Sequence, residues 1–216
     1  MVYLGLLVGL AEALNRLRSQ EPETTRKLVH IGTGNVILLA WGLQIPAWVG
    51  ILAGILAAGL ALVSYVVPLL PSINSVGRKS LGTFFYAVSM GILVGTFWSL
   101  HAPEFAAIGI LVMAWGDGLA ALVGQRFGRH QYHIFGAQKS WEGSATMALA
   151  SFGVIALILS LTHGLTLGSF VISGLVAMMA AGLEAISVWG GIDNLSVPVG
   201  SAFVCFYLSQ WLLLTG

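Results

Sequence analysis

The sequence is poor in charge. Of its 216 residues only 17 are Asp, Glu, Lys or Arg, 8% of the chain, against about a quarter in a soluble domain. It has a single cysteine, Cys205. That excludes a disulfide framework, and its place inside an apolar run makes it a packing residue. The net charge is only +1. So little charge rules out a disordered tail, an ordinary soluble globule and a nucleic-acid binder working through a basic surface. What is abundant is apolar surface: 57% of residues are hydrophobic and the mean hydropathy is +0.93. Lipid is the one solvent that accepts it. The positions of the 17 charges then become the informative feature, because a membrane protein cannot scatter them through its spans.

A transmembrane helix needs about 20 mostly apolar residues. No Asp, Glu, Lys or Arg lies between Lys27 and Arg78, and Gln44-Ile45-Pro46 divides that run. The pattern predicts spans at 29–43, 47–70, 80–103 and 105–124, the last with Asp117 inside it. Two more follow from 143, divided at Thr162-His163-Gly164 and carrying on to about Val188, and another covers 198–215. Residues 2–14 form a weaker first span, about 20 Å long as a helix, which reaches across only if the Arg16 and Arg18 stems snorkel. Ala11-Glu12-Ala13 fits a signal-peptidase pattern, but the basic n-region of a signal peptide is missing from Met1-Val2-Tyr3-Leu4. The expectation is an all-α polytopic membrane bundle of seven to eight transmembrane helices, one unit over 1–216 whose first 20 residues carry the weak span.

All nine basic residues fall in three clusters: Arg16, Arg18, Arg26 and Lys27; Arg78 and Lys79; Arg126, Arg129 and Lys139. In the eight-span reading these are the loops after spans 1, 3 and 5. Alternate loops share a side, so the positive-inside rule puts all three on the cytoplasmic face, with Gly190–Val197 beside them. The opposite loops are short and hold no Lys or Arg. Both ends of the chain are then expected to face away from the cytoplasm, and any site to lie at the cytoplasmic interface.

Five constellations line that interface. In Arg26-Lys27-Leu28-Val29-His30-Ile31-Gly32-Thr33-Gly34, helical spacing stacks Arg26, His30 and Gly34 on one face. A snorkelling anchor explains the two cations; it does not explain a histidine just inside an apolar run. Gly77-Arg78-Lys79-Ser80 is either a topology signal or a phosphate-holding helix start, and it lacks the order of a Walker A loop. Asp117, flanked by Gly116 and Gly118, lies roughly 10 Å inside its span. A lone carboxylate there must be paired, metal-bound or in a wet cavity. Lys139-Ser140-Trp141-Glu142-Gly143-Ser144 opens the sixth span with a capping Ser140 and an acid one turn from a lysine. Glu184 is the only charge in a long apolar stretch, and Asp193-Asn194 reads as a turn before Pro198. His130-Gln131-Tyr132-His133 reads as loop, and the paired glycines Gly50/Gly54 and Gly91/Gly95 as helix packing.

Asp117, Glu142, Glu184 and Asp193 thus converge on one face with Arg26, Lys27, Arg78, Lys79, Arg126, Arg129 and Lys139. Acids that bind Mg²⁺ beside cations that bind phosphates are what phosphoryl transfer from a nucleotide requires, and the bilayer would supply a lipid acceptor.

These motifs resemble the polyprenol kinase family, which includes phytol, farnesol and dolichol kinases and a CTP-dependent diacylglycerol kinase. The residues that carry the resemblance are Arg26-Lys27-x-x-His30, Gly116-Asp117-Gly118-x-Ala120-Ala121-x-x-Gly124-x-x-x-Gly128, Lys139-Ser140-x-Glu142-Gly143-Ser144 and Asp193-Asn194-x-x-x-Pro198. They span about 21–200. The short chain and the Gly77–Thr83 loop look most like the phytol kinases. The resemblance implies CTP, or UTP, as phosphoryl donor, Mg²⁺ as cofactor and a prenyl alcohol from the bilayer as acceptor. It implies Arg26, Lys27, His30, Asp117, Lys139, Glu142, Asp193 and Asn194 as site residues, with Glu184 and Arg78/Lys79 carried less firmly. Phosphate binding is expected of Arg26, Lys27, Arg78, Lys79, Lys139, Ser140, Gly143 and Asn194, and metal binding of Asp117, Glu142, Glu184 and Asp193. His30 and Asp117 both stand as the group that receives or orients the alcohol proton. A cytidylyltransferase acting on a lipid phosphate is the related alternative. A small channel or transporter is the unrelated one, disfavoured because the acids do not line a path.

Overall fold

A computed structural model describes residues 22–66, 81–187 and 190–214. The weak first span, Arg78, Lys79 and the side chain of Arg26 lie outside the described residues. The chain folds as helices α1 (Pro22–Gly34), α2 (Val36–Gly42), α3 (Ala47–Val66), α4 (Gly82–Ser99) and α5 (Pro103–Leu111). A π-helical segment, Val112–Asp117, joins α5 to α6 (Gly118–Phe127). A hairpin of β1 (Gln131–Ile134) and β2 (Ala137–Ser140) follows, then α7 (Trp141–His163), α8 (Leu167–Ile186) and α9 (Asp193–Leu214). Among the described residues six helices are long and apolar enough to cross a membrane: α3, α4, the rod formed by α5, the π segment and α6, and then α7, α8 and α9.

The helix boundaries have local causes. Proline occupies the first position of α1 and α5, where its missing N–H costs nothing. Ser140 caps α7 by accepting the Gly143 N–H at 3.1 Å, and Thr166 caps α8 by accepting the Ser169 N–H at 3.0 Å. The predicted span 29–43 begins earlier, at Pro22, and is broken in two. Asn35 leaves the helix there: its N–H bonds the Gly32 carbonyl and its side-chain amide the Ile31 carbonyl, at 3.2 and 3.1 Å. The division at Gln44-Ile45-Pro46 falls where it was predicted, with Gln44 in the left-handed region at φ 52°. The last helix starts at Asp193 rather than 198, so Pro198 lies inside it. The segment between Arg129 and Lys139, expected as loop, pairs as an antiparallel hairpin with Tyr132 opposite Lys139. Its tip is Phe135-Gly136, both at positive φ, the conformation that matches the twist of a tight hairpin.

The rod Pro103–Phe127 is the centre of the bundle: 72% of its residues are buried, against at most 44% in any other span. It packs on α1, α2, α4, α7 and α9. Helices approach closely where glycine removes a side chain, as expected where lipid supplies no hydrophobic drive between helices. A Cβ on Gly54 would meet the Ala87 carbonyl at 3.1 Å and the Gly91 backbone at 3.2 Å, so the α3–α4 glycine pairs do pack helices. On Gly109 it would lie 2.4 Å from the Pro198 carbonyl and 3.0 Å from the Ala202 Cβ, binding the rod to α9.

Gly109→Val should therefore push α5 from α9 and destabilise the protein by about 1–3 kcal/mol, read as a lower Tm in detergent. Gly153→Ala, a helical position with nothing within 4 Å, should leave Tm unchanged or slightly raise it.

Candidate functional site

The polar residues that the sequence left in the apolar body come together at one end of the bundle. Asp117 is placed by the π segment that ends on it. Such turns insert an extra residue into a helix and recur at functional sites. Gly116, just before it, lies against α7, where a Cβ would meet the Met147 sulfur at 2.6 Å and the Ser151 hydroxyl at 2.8 Å. The aspartate carboxylate faces α1 and is only 12% exposed.

Lys27 and His30, one turn apart on α1, reach that carboxylate. The Lys27 ammonium donates to Asp117 Oδ2 in a buried ion pair, and His30 Nε2 lies 3.9 Å from the same oxygen. Two glycines let the helices approach. A Cβ on Gly34 would lie 2.3 Å from the Ala114 Cβ, and one on Gly118 would lie 2.5 Å from Ile31 Cγ1. The Tyr86 ring, from α4, packs on His30 with centroids 4.6 Å apart. Sequence reasoning missed Tyr86; an aromatic residue inside an apolar run carries no signal that sets it apart from core.

The second pair links the hairpin to α8. Lys139, on β2, donates to the Glu184 side chain and, at 3.2 Å, to the Glu184 carbonyl. Lys139 is held there because the next residue, Ser140, sits in a crevice of glycines. A Cβ on Gly128 would lie 2.8 Å from the Ser140 hydroxyl, on Gly143 3.1 Å and on Gly124 3.2 Å. The repeated small residues of α6 are thus the bed on which the start of α7 lies. Glu142 turns to the hairpin instead, accepting from the His130 backbone N–H at 3.2 Å and lying 2.7 Å from His130 Nδ1. Ser144 and Tyr132 close the same corner with a 2.6 Å hydroxyl contact.

Asp193 and Asn194 form the first turn of α9. Asn194 donates to the Gly191 carbonyl and to the Asp193 carboxylate, both at 3.2 Å. The charges of Asp117, Lys139 and Lys27 all reach Asp193, and that of Lys139 reaches Asp117. The Leu81 N–H, at the start of α4, bonds the Gly190 carbonyl at 2.9 Å, which draws α4 and the turn before α9 to the same end. The site therefore consists of Lys27–Asp117, Lys139–Glu184 and Asp193, with His30 beside the first pair and Glu142 outside it.

Among the described residues no three His, Cys, Asp or Glu side chains group closely enough to cage a metal ion. Mg²⁺ seldom needs such a cage. It is commonly held by one or two carboxylates and the phosphates of a nucleotide. Asp117, Asp193 and Glu184 offer that donor set, and the two lysines that neutralise the acids here are suited to phosphate oxygens.

Known proteins share this arrangement of sequence. The chain is 61% identical over 204 residues to phytol kinase of Synechocystis sp. (strain ATCC 27184 / PCC 6803 / Kazusa), covering 94% of this chain and 87% of that one. It is 31% identical to a probable chloroplastic phytol kinase of Triticum aestivum, covering 94% and 73%. It is 30% identical to the chloroplastic farnesol kinase of Arabidopsis thaliana, covering 85% and 64%. No protein-family model matches the chain, and no solved structure does.

Removing one partner of a buried ion pair costs far more than removing both. Lys139→Met should lower stability by about 3 kcal/mol, because Glu184 is left charged and unpaired. Lys139→Met/Glu184→Leu should regain most of the loss. Thermal unfolding of the wild type, the two single variants and the double variant checks this as a cycle.

Proposed function

Because the chain belongs to the polyprenol kinase family, and is thus a membrane enzyme that phosphorylates an isoprenoid alcohol, we propose that it transfers the γ-phosphoryl group of CTP, or UTP, to phytol at the cytoplasmic or stromal face. The observation that carries this reading is the meeting of two lysines and three carboxylates at one end of an otherwise apolar bundle. The acceptor is proposed on the 61% identity to a phytol kinase, and the donor on the family resemblance of the motifs. The nine basic residues, all in alternate loops of the eight-span reading, support the side.

In the reaction the alcohol oxygen forms a bond to the γ-phosphorus and the bridging bond to the β-phosphate oxygen breaks. Lipid monophosphate and nucleoside diphosphate result, with one proton released from the hydroxyl. Lys139, with Arg78 and Lys79, binds the triphosphate, and the capped start of α7 adds backbone N–H donors, which favour anions. Asp117, Asp193 and Glu184 would hold Mg²⁺, which when bound supplies positive charge to the β- and γ-phosphates. Lys27 exchanges its bond to Asp117 for phosphate oxygens. His30 lies on the side from which the alcohol approaches and receives or orients its proton, with Asp117 the other group in reach. The isoprenoid tail stays in the bilayer between helices, and only the hydroxyl has to reach the interface. Glu142 is assigned to fixing the hairpin through His130.

Incubation with phytol, Mg²⁺ and CTP labelled at either the α- or the γ-phosphate should put only the γ label into lipid. Label from the α position would mean nucleotidyl transfer instead. A panel of the four nucleoside triphosphates against phytol, geranylgeraniol and farnesol should rank CTP or UTP with phytol first. Asp117→Asn, in protein that folds, should lower turnover by about two orders of magnitude or more; activity near the parent level would sink the role given to Asp117.

A further inference from the structure

Tyr86 is a buried residue to which neither the sequence motifs nor the two ion pairs give a task. It lies one turn inside α4, with 9% of its surface exposed. Its ring packs on His30, and its hydroxyl lies against Gly34, where a Cβ would come within 3.1 Å of the oxygen. The charge of Asp117 reaches it. Yet among the described residues the hydroxyl has no hydrogen-bond partner. Buried hydroxyls are nearly always partnered, and one that is not requires an explanation. A phenylalanine would fill the same space without burying a hydroxyl.

We propose that the Tyr86 hydroxyl is a substrate-binding group that holds the hydroxyl of the lipid alcohol beside His30 and Asp117. The inference rests on the kinase reading above. A phenol both donates and accepts a hydrogen bond, so it matches an alcohol oxygen, which does the same. The neighbouring Asp117 disfavours a second anion at this point, and a neutral hydroxyl is what a lipid alcohol presents there. Tyr86 stands on α4 and the two lysines on α1 and β2, so the alcohol end of the site is built from different elements than the phosphate end. The interaction is unmade until substrate arrives, which explains why the hydroxyl is unpartnered without it.

The test is Tyr86→Phe, assayed with phytol and CTP beside the wild type, with Tm measured for both. The expected result is a fall of about tenfold or more in kcat/KM for phytol. The KM for CTP should stay within about twofold, since the phosphate groups are not touched. Tm should be equal or higher, because no internal hydrogen bond is lost. Full activity with phytol in Tyr86→Phe overturns the proposal. So does a lower Tm with the KM for CTP raised in step, which would show a structural role for the hydroxyl. If the wild type itself transfers no phosphoryl group to any lipid alcohol, it is the kinase reading that fails. Thermal stabilisation by phytol alone, lost in Tyr86→Phe, would then still show the hydroxyl binding an alcohol, and equal stabilisation of both proteins would overturn the proposal.

Discussion

A carboxylate cannot stay ionised inside a bilayer-spanning helix without a nearby positive charge, and much of this structure serves to bring one to Asp117. The charge comes from Lys27 on α1. For its side chain to reach, α1 must lie almost in contact with the central rod, and Gly34 and Gly118 permit that approach from either side. The same approach brings His30 to the carboxylate and Tyr86 to His30. One electrostatic requirement thus fixes the position of a helix, two glycines and the polar groups around the acid.

Lys139 and Glu184 repeat the arrangement at the junction of the hairpin with α7 and α8. There the glycines belong to the packing of α6 on the start of α7, and Ser140 lies among them while capping the helix. Each acid has its own lysine, so the site as it stands is internally neutralised. A nucleotide bringing phosphates and Mg²⁺ would exchange partners on both sides: phosphate oxygens for the lysines, the metal for the acids. Such an exchange needs little net change of buried charge, which suits a site at the edge of a low-dielectric medium.

Much of this was legible in the sequence. The runs without charge located the spans, because excluding Asp, Glu, Lys and Arg from lipid is a strong constraint that acts on every residue of a span. The grouping of Lys27, His30, Asp117, Lys139, Glu184 and Asp193 followed from loop parity. What could not be read were features set by tertiary approach. Asn35 breaks α1 from α2 through bonds to its own preceding turn, and nothing in its neighbours marks it as other than a residue in an apolar run. Pro198 resembles a helix start, yet α9 begins five residues before it, with the Pro198 carbonyl pressed on Gly109. Glu142 has the spacing of a site residue on a helix, but the hairpin, invisible to a search for long apolar runs, presents His130 to it. Tyr86 differs from a core aromatic by one oxygen, whose surroundings only the fold defines.

The π segment at Val112–Asp117 has a consequence for which changes of length the rod can bear. A helix advances by about 100° per residue. Deleting one residue between Val112 and Gly116 would let the segment close as ordinary α-helix, with more regular hydrogen bonding. It would also turn everything beyond it by about 100° relative to α5. Asp117 would swing away from Lys27, and Gly124 away from the start of α7. The rod would become a more regular helix and still cross the membrane, but its acid would face the wrong neighbour. Substitutions among the small residues of this stretch therefore test packing, whereas a single deletion tests orientation.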